Sequence, residues 1–427
     1  MAEVSRRRGG WWWSWRFAMA GLLLLSQIAP ARAVLRRRPL HHRRTHARQA
    51  VPLYHAALLM DADRGTVLFA VNPDLSWPPA SMAKMMLLAV AEDQIRAGRA
   101  TYNDPVRVSM RAALTGGSRL GLHPGDVYPL GELMKAALIR SANDAAVAVA
   151  EKVGGSVDGC VRLMNAKARE LGMANTHYET VDGLPPIPAH DVDFTTAHDL
   201  AILARHLILT TNLLQWSSMQ TAPFDGGRVM LHNTNHLVGH FDGCDGLKTG
   251  FTYHAGFNLT ATAKRGDMRL ISVVLGAPSN PQRFIQSARL LNWGFDNFEK
   301  VHLVTRGESL PVHVQVAQGP EIQPIAESDL DLVMPKSAID RLHLEYKIPT
   351  VVQGPLSDGQ PIGAVEVLDG SEVLSRVDAI CPLSASAPTS ASMAGVHEPS
   401  SGTTSMPPAA VLPAVAPRLT IDPQEKR

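Results

Sequence analysis

The chain has 427 residues, 45% of them hydrophobic, with 41 Lys and Arg against 39 Asp and Glu for a formal charge of +2. That length calls for one large buried domain and a second, smaller one, and the near balance of charge, with no nucleic-acid motif, gives no reason to expect a nucleic-acid partner. No His/Cys cluster has metal-ligand spacing and no cofactor fingerprint or internal repeat appears, so no cofactor is expected.

In chain order, Arg6-Arg7-Arg8, the apolar run Phe17 to Ile28 and Ala31-Arg32-Ala33 have the make-up of a cleaved signal peptide over 1–33. The apolar run is too short to span a bilayer. Export to the periplasm or cell envelope is the expectation, with Val34 as first mature residue. A basic linker over 34–50 follows, holding Arg36-Arg37-Arg38 and His41-His42-Arg43-Arg44. The plain expectation is a solvated tether, and the functional alternative is a weak attraction to anionic cell-wall polymer or membrane.

Residues 51–300 form the expected main domain. Three strings stand in order within it: Ser81-Met82-Ala83-Lys84, Ser141-Ala142-Asn143 and Lys248-Thr249-Gly250. Each is common alone, and their weight comes from setting. Pro78-Pro79-Ala80 before Ser81 and the run Met85 to Ala91 after it predict a buried helix starting at Ser81. Lys84, three positions on, then shares a face with the Ser81 hydroxyl. In an apolar surround its amine loses protons readily and can serve as a general base. Ser141-Ala142-Asn143 falls between two apolar helical runs, where a loop or helix cap is the plain alternative. The Lys248 string reads as a strand, followed by the β-rich segments 257–263 and 270–276. Lys248 would face a groove at a sheet edge, and Gly250 would let a substrate backbone lie close.

With these strings, the chain resembles the low-molecular-mass penicillin-binding proteins, the serine-type D-alanyl-D-alanine carboxypeptidases of peptidase family S11. The likeness covers roughly 53–300 and takes in Leu58 to Leu68, which resembles the opening β-hairpin of that fold. It also takes in Asp182-Gly183-Leu184 with Thr195 to Ala201, and Gly276 through Arg283 to Phe295. The resemblance implies an α/β (α+β) penicillin-binding/β-lactamase-like transpeptidase fold, an antiparallel sheet flanked by helices. It implies Ser81 as the acylated nucleophile, Lys84 as its base and Ser141 as proton relay. It gives Asn143, Lys248, Thr249, Gly250 and Phe251 to substrate binding, with the amides of Ser81 and Phe251 as oxyanion hole. Arg283 would help to hold the substrate carboxylate through its neighbours. The implied substrate is the peptidoglycan pentapeptide ending in D-Ala-D-Ala, and the implied inhibitors are β-lactams. Three departures stand out. Many relatives have threonine in the slot of Ala83 and often histidine where Phe251 stands. The proline-rich Leu184 to His190 suggests a stiffened or lengthened loop beside the site.

Two other readings compete. A class A-like β-lactamase would need a glutamate to activate the deacylating water, and the candidate, Glu179, lacks the asparagine that normally follows. A non-catalytic penicillin or peptidoglycan binder would not need Ser81, Lys84 and Lys248 together.

Residues 301–384 change to short strand-like segments broken by glycine and proline, which predicts a small β-sandwich without catalytic residues. From 385 to 427 the composition turns to Pro, Ala and Ser, and disorder is expected. Pro407, Pro408, Pro413 and Pro417 would break any amphipathic membrane helix there, so no C-terminal anchor is expected. Cys160, Cys244 and Cys381 are an odd set, so at least one thiol stays free or pairs with another molecule, and the first two suit small buried positions.

Overall fold

The computed structural model describes residues 53–185 and 193–382. The expected signal peptide, basic linker and C-terminal tail, and most of the proline-rich stretch after Leu184, lie outside the described residues.

The chain opens on a hairpin of β1 (Ala56–Asp61) and β2 (Val67–Val71), then enters a short 3₁₀ turn, Ala80–Met82, that runs into α1 (Ala83–Arg96). Every residue of α1 from Ala83 to Glu92 is buried, so this is a central helix rather than an amphipathic surface one. Around it come β3 (Pro105–Arg107), α2 (Met110–Leu114), β4 (Val127–Pro129), α3 (Leu130–Ile139), α4 (Asn143–Gly154) and α5 (Val157–Glu170). Next are α6 (Ala197–Thr210), α7 (Leu214–Ser217), β5 (Thr221–Phe224) and β6 (Val229–His232). The helix starts follow from side chains that satisfy free amides: Ser109, Ser156 and Thr196 each accept from the amide three residues on. Helix α4 ends where Gly155 takes φ +70°, a left-handed value that glycine adopts without steric cost.

Three long strands, β7 (Cys244–Thr252), β8 (Gly256–Arg265) and β9 (Met268–Ala277), then form a meander that α8 (Asn280–Asn297) follows. They join the hairpin in one antiparallel sheet ordered β2-β1-β9-β8-β7. Strand β1 is buried along its whole length because both faces of the sheet are covered. Its residues alternate: Ala56, Leu58 and Met60 join the core shared with α1, α3, α4 and α6, and Ala57 and Leu59 join the core under α8. The order leaves β7 at an edge, with its side away from β8 unpaired within the sheet.

Helix α8 leads straight into β10 (Phe298–Val304), three residues before the position where the sequence suggests the smaller domain begins. There follow β11 (Val314–Ala317), β12 (Glu321–Ile322), β13 (Ile325–Ala326), β14 (Leu330–Pro335), β15 (Leu342–Lys347), β16 (Val351–Gln353), β17 (Pro361–Asp369) and β18 (Glu372–Ile380). Strand β10 pairs with β14, β11 lies between β12 and β16, and the largest sheet runs β13-β18-β17-β15. These strands enclose their own core, with Val304, Leu310, Leu330, Val365 and Val377 at its centre. The β1–β2 turn ties this all-β module to the larger domain: Lys300 Nζ lies 2.7 Å from the Asp63 carboxylate, and Arg64 Nη1 donates to Ser375 Oγ at 2.7 Å.

Candidate active site

The three strings meet in one cleft of about 310 Å³, lined by Ser81, Ser141, Asn143, Thr249 and Arg283 among others. Ser81 sits in the 3₁₀ turn that begins α1, and Lys84 follows one turn later. That spacing brings Lys84 Nζ to 2.9 Å from Ser81 Oγ. A second bond, 2.8 Å to the Asp182 carbonyl oxygen, holds the amine in place. Lys84 is fully buried, and the loss of water brings its pKa down from 10.5 to about 8, a fall that the nearby Asp182 and Asp144 carboxylates partly oppose. A substantial neutral fraction near neutral pH is what a general base needs.

Ser141 lies between α3 and α4 with φ +63°, a conformation seldom taken by residues other than glycine. Asn143, the first residue of α4, donates from Nδ2 to the Gly116 carbonyl at 2.8 Å. Its Oδ1 is buried with no hydrogen-bond partner among the described residues. A buried acceptor without a donor is costly unless a ligand supplies one, and an incoming amide N–H would do so.

The third string occupies β7. Lys248 is fully buried and donates to the Thr249 carbonyl at 2.9 Å. Desolvation first, and then the positive charges of Lys84 and Arg283, hold its pKa well below the usual lysine value. A bound carboxylate would reverse that balance and favour the charged form. Thr249 Oγ1 donates to Thr234 Oγ1 at 2.8 Å, which brings a second hydroxyl to the cleft. Gly250 lines the cleft and also serves a close approach within the protein. A Cβ there would stand 2.7 Å from the Pro79 carbonyl oxygen and 2.9 Å from Met82 Cγ, so glycine lets β7 lie against the turn carrying Ser81. Phe251 follows, its ring half exposed at the cleft.

Arg283 reaches the cleft from α8. Its Nη1 donates to the carbonyls of Gly250 at 3.1 Å and Asn258 at 3.3 Å, while Nε is buried without a partner among the described residues. Burial lowers its pKa to about 10, which leaves it charged at neutral pH.

Three contributors escape a motif reading of the sequence. Asp182 enters through its backbone carbonyl. Asp144 accepts the amides of Leu120, Gly121 and Leu122 at 2.8–3.1 Å, which shapes the loop running past Ser118. Thr234 comes from the segment after β6, where a polar Asn-Thr-Asn string carries no spacing signal. Glu179 does not line the cleft; its carboxylate bonds His177 Nε2 at 2.7 Å on the surface. All three cysteines are buried free thiols.

Comparison with known proteins gives the family of the chain. A family model described as D-alanyl-D-alanine carboxypeptidase matches residues 45–279, and one described as penicillin-binding protein 5, C-terminal domain, matches 298–385. The D-alanyl-D-alanine carboxypeptidase DacC of Escherichia coli is 34% identical over 331 residues, 75% of this chain and 82% of that protein. DacF of Bacillus subtilis is 32% identical over 327 residues, 75% and 83% of the two chains. Among solved structures, penicillin-binding protein 5 from Haemophilus influenzae superposes with a TM-score of 0.68 at 29% identity, over 78% of this chain and 98% of the other. With its larger domain, its all-β module and its three strings in one cleft, the chain belongs to the D-alanyl-D-alanine carboxypeptidases, peptidase family S11.

Proposed function

We propose that Ser81 is the nucleophile of a serine-type D-alanyl-D-alanine carboxypeptidase that removes the last D-Ala of a peptidoglycan pentapeptide stem and is acylated by β-lactams at the same atom. The observation that carries this reading is the 2.9 Å contact between the Ser81 hydroxyl and a fully buried Lys84 amine whose pKa is about 8.

The substrate lies extended along the open edge of β7. Its terminal carboxylate faces the Thr249 and Thr234 hydroxyls within the positive field of Lys248 and Arg283. Neutral Lys84 takes the Ser81 proton as Oγ attacks the carbonyl carbon of the penultimate D-Ala. The oxyanion accepts hydrogen bonds from the amides of Ser81 and Phe251. Collapse of the intermediate breaks the C–N bond, and Lys84 returns the proton through the Ser141 hydroxyl to the departing D-Ala amine. Water then attacks the ester with Lys84 again as base, which releases the shortened peptide and restores Ser81. Asn143 Oδ1 accepts from the substrate's amide. The Glu179 carboxylate, paired with His177 on the surface, favours this chemistry over that of a β-lactamase, for which it would have to face the cleft. The basic N-terminal strings support export to the periplasm with cleavage near Ala33, and weak attraction of residues 34–50 to anionic envelope polymers.

The test uses purified protein with a fluorescent penicillin and with a peptide ending in D-Ala-D-Ala. Ser81→Ala should lose both the covalent label and D-alanine release while its melting curve stays close to that of the parent. Stoichiometric labelling of this variant would overturn the assignment.

A further inference from the structure

We infer that the side chain of Phe251, which the proposed chemistry leaves idle, selects the residue that departs, favouring a small hydrocarbon side chain over a polar one of equal size. The inference rests on the peptidase reading above and adds to it a specificity element on the leaving-group side.

Side chains on a strand alternate between its two faces. On β7 the missing side chain of Gly250 points at Pro79 and Met82, so the Gly250 position faces the turn that carries Ser81. Thr249 and Phe251 therefore project to the other face, the one covered by α8. There the Phe251 ring stacks on Phe257, with centroids 4.3 Å apart and planes 28° from parallel. The Arg283 guanidinium carbon lies 5.5 Å from the centre of the Phe257 ring. Thr249, with Thr234 at 2.8 Å, stands on the same side of the strand. The cleft is thus bounded on this face by two hydroxyls and a cation, which suit a carboxylate, and by one aromatic ring, which does not.

A carboxylate held by the hydroxyls and Arg283 places the α-carbon of the terminal residue beside the Phe251 ring, because the scissile carbonyl must reach Ser81 on the strand's other side. The side chain of that residue then meets a ring whose orientation is held by its stack on Phe257 and by the edge of Tyr253, at 5.7 Å. A methyl or ethyl group exchanges water for hydrocarbon there at a gain. A hydroxyl of the same size gives up part of its water there and finds neither donor nor acceptor on the ring. Phe251 thus acts through its backbone on the reaction and through its ring on the choice of leaving group.

The experiment compares kcat/KM for three peptides identical up to the penultimate D-Ala and ending in D-Ala, D-2-aminobutyrate or D-serine. The last two side chains match in heavy-atom count and differ in polarity. The parent protein should favour D-2-aminobutyrate over D-serine by about tenfold, within the range that one polar-for-apolar exchange in a hydrophobic pocket produces. Phe251→His keeps the backbone amide and an aromatic ring but adds hydrogen-bonding nitrogens, and should bring the ratio close to one. Each ratio is taken on a single preparation, so any misfolded fraction cancels. A parent ratio near one, or a ratio unchanged in Phe251→His, overturns the inference while D-alanine release leaves the peptidase reading standing. Release from none of the three peptides by the parent would instead sink that reading, and the inference with it.

Discussion

Gly183 rests against Ala80 with no room for a methyl group between them: a Cβ on Gly183 would stand 1.8 Å from the Ala80 carbonyl oxygen. This contact joins the loop whose Asp182 carbonyl holds Lys84 to the residue that precedes Ser81. Both residues have positive φ, +75° at Gly183 and +50° at Ala80, so each segment keeps its shape only while the other stays in place. Gly183→Ala should therefore displace the loop, free the Lys84 amine and slow acylation by penicillin by about 100-fold or more. Stopped-flow labelling kinetics read this directly, and acylation within threefold of the parent would refute the coupling.

The acylation rate should also follow the state of Lys84. Its pKa is lowered to about 8, and only the neutral amine accepts the Ser81 proton. Below pH 8 kcat/KM should climb about tenfold per pH unit and then level off as the amine becomes fully neutral. Lys84→Arg stays protonated throughout and should lower the rate by about 100-fold or more at every pH. A rate that falls between pH 6 and 8 would be inconsistent with a lysine base.

Arg283 makes a distinction between substrates. Arg283→Gln removes the cation while keeping a donor for the Gly250 carbonyl, and kcat/KM for a peptide with a free terminal carboxylate should fall about 10- to 100-fold. The same peptide as a C-terminal amide already lacks the charge, so the substitution should change its slow turnover little. Equal losses on both peptides would assign Arg283 to the support of β7 alone.

Glu179 offers the opposite expectation. Its carboxylate is more than half exposed and pairs with an exposed His177, a contact worth little energetically. Glu179→Gln should leave D-alanine release within about twofold of the parent, since a surface change of this kind seldom matters. The penicilloyl adduct should persist for minutes in both proteins. Rapid multiple-turnover hydrolysis of penicillin that disappears in Glu179→Gln would favour a β-lactamase.

The thiols give a simple check on the packing. Burial pushes Cys160 up to about 12 and Cys244 up to about 11, and raises Cys381 as well. Thiolate is the reactive form, so a thiol reagent should leave the native protein almost untouched and find three thiols per chain in denaturant.

What the sequence revealed depended on whether a role lies in a side chain at a fixed spacing. Ser81 and Lys84 were legible because three positions on a helix is a geometric statement, and the hydrophobic run after them signalled burial. The strand character of β7 to β9 followed from their β-rich segments split by turns. Asp182 acts through a carbonyl oxygen and Thr234 through a contact between distant segments, and neither leaves a local pattern. Gly250 was legible as a close approach but not as an approach to Pro79, since that needs the register of β7 against the start of α1. In the all-β module the short strand-like segments broken by glycine and proline were visible, whereas β15, with no fully buried residue, and β11's parallel pairing with β16 depend on tertiary partners.

The open edge of β7 carries a hazard along with its use. A strand edge that can receive an extended peptide can also receive the edge of another partly unfolded molecule, the contact from which aggregates grow. Here the strand is irregular at one end, where its register against β8 slips between Cys244 and Gly246. A β-lactam attached at Ser81 would lie against part of that edge. Light scattering on slow heating should therefore rise later for the acylated protein than for the free one, by more than its gain in melting temperature alone accounts for, because the ligand stoppers the seam through which copies would join.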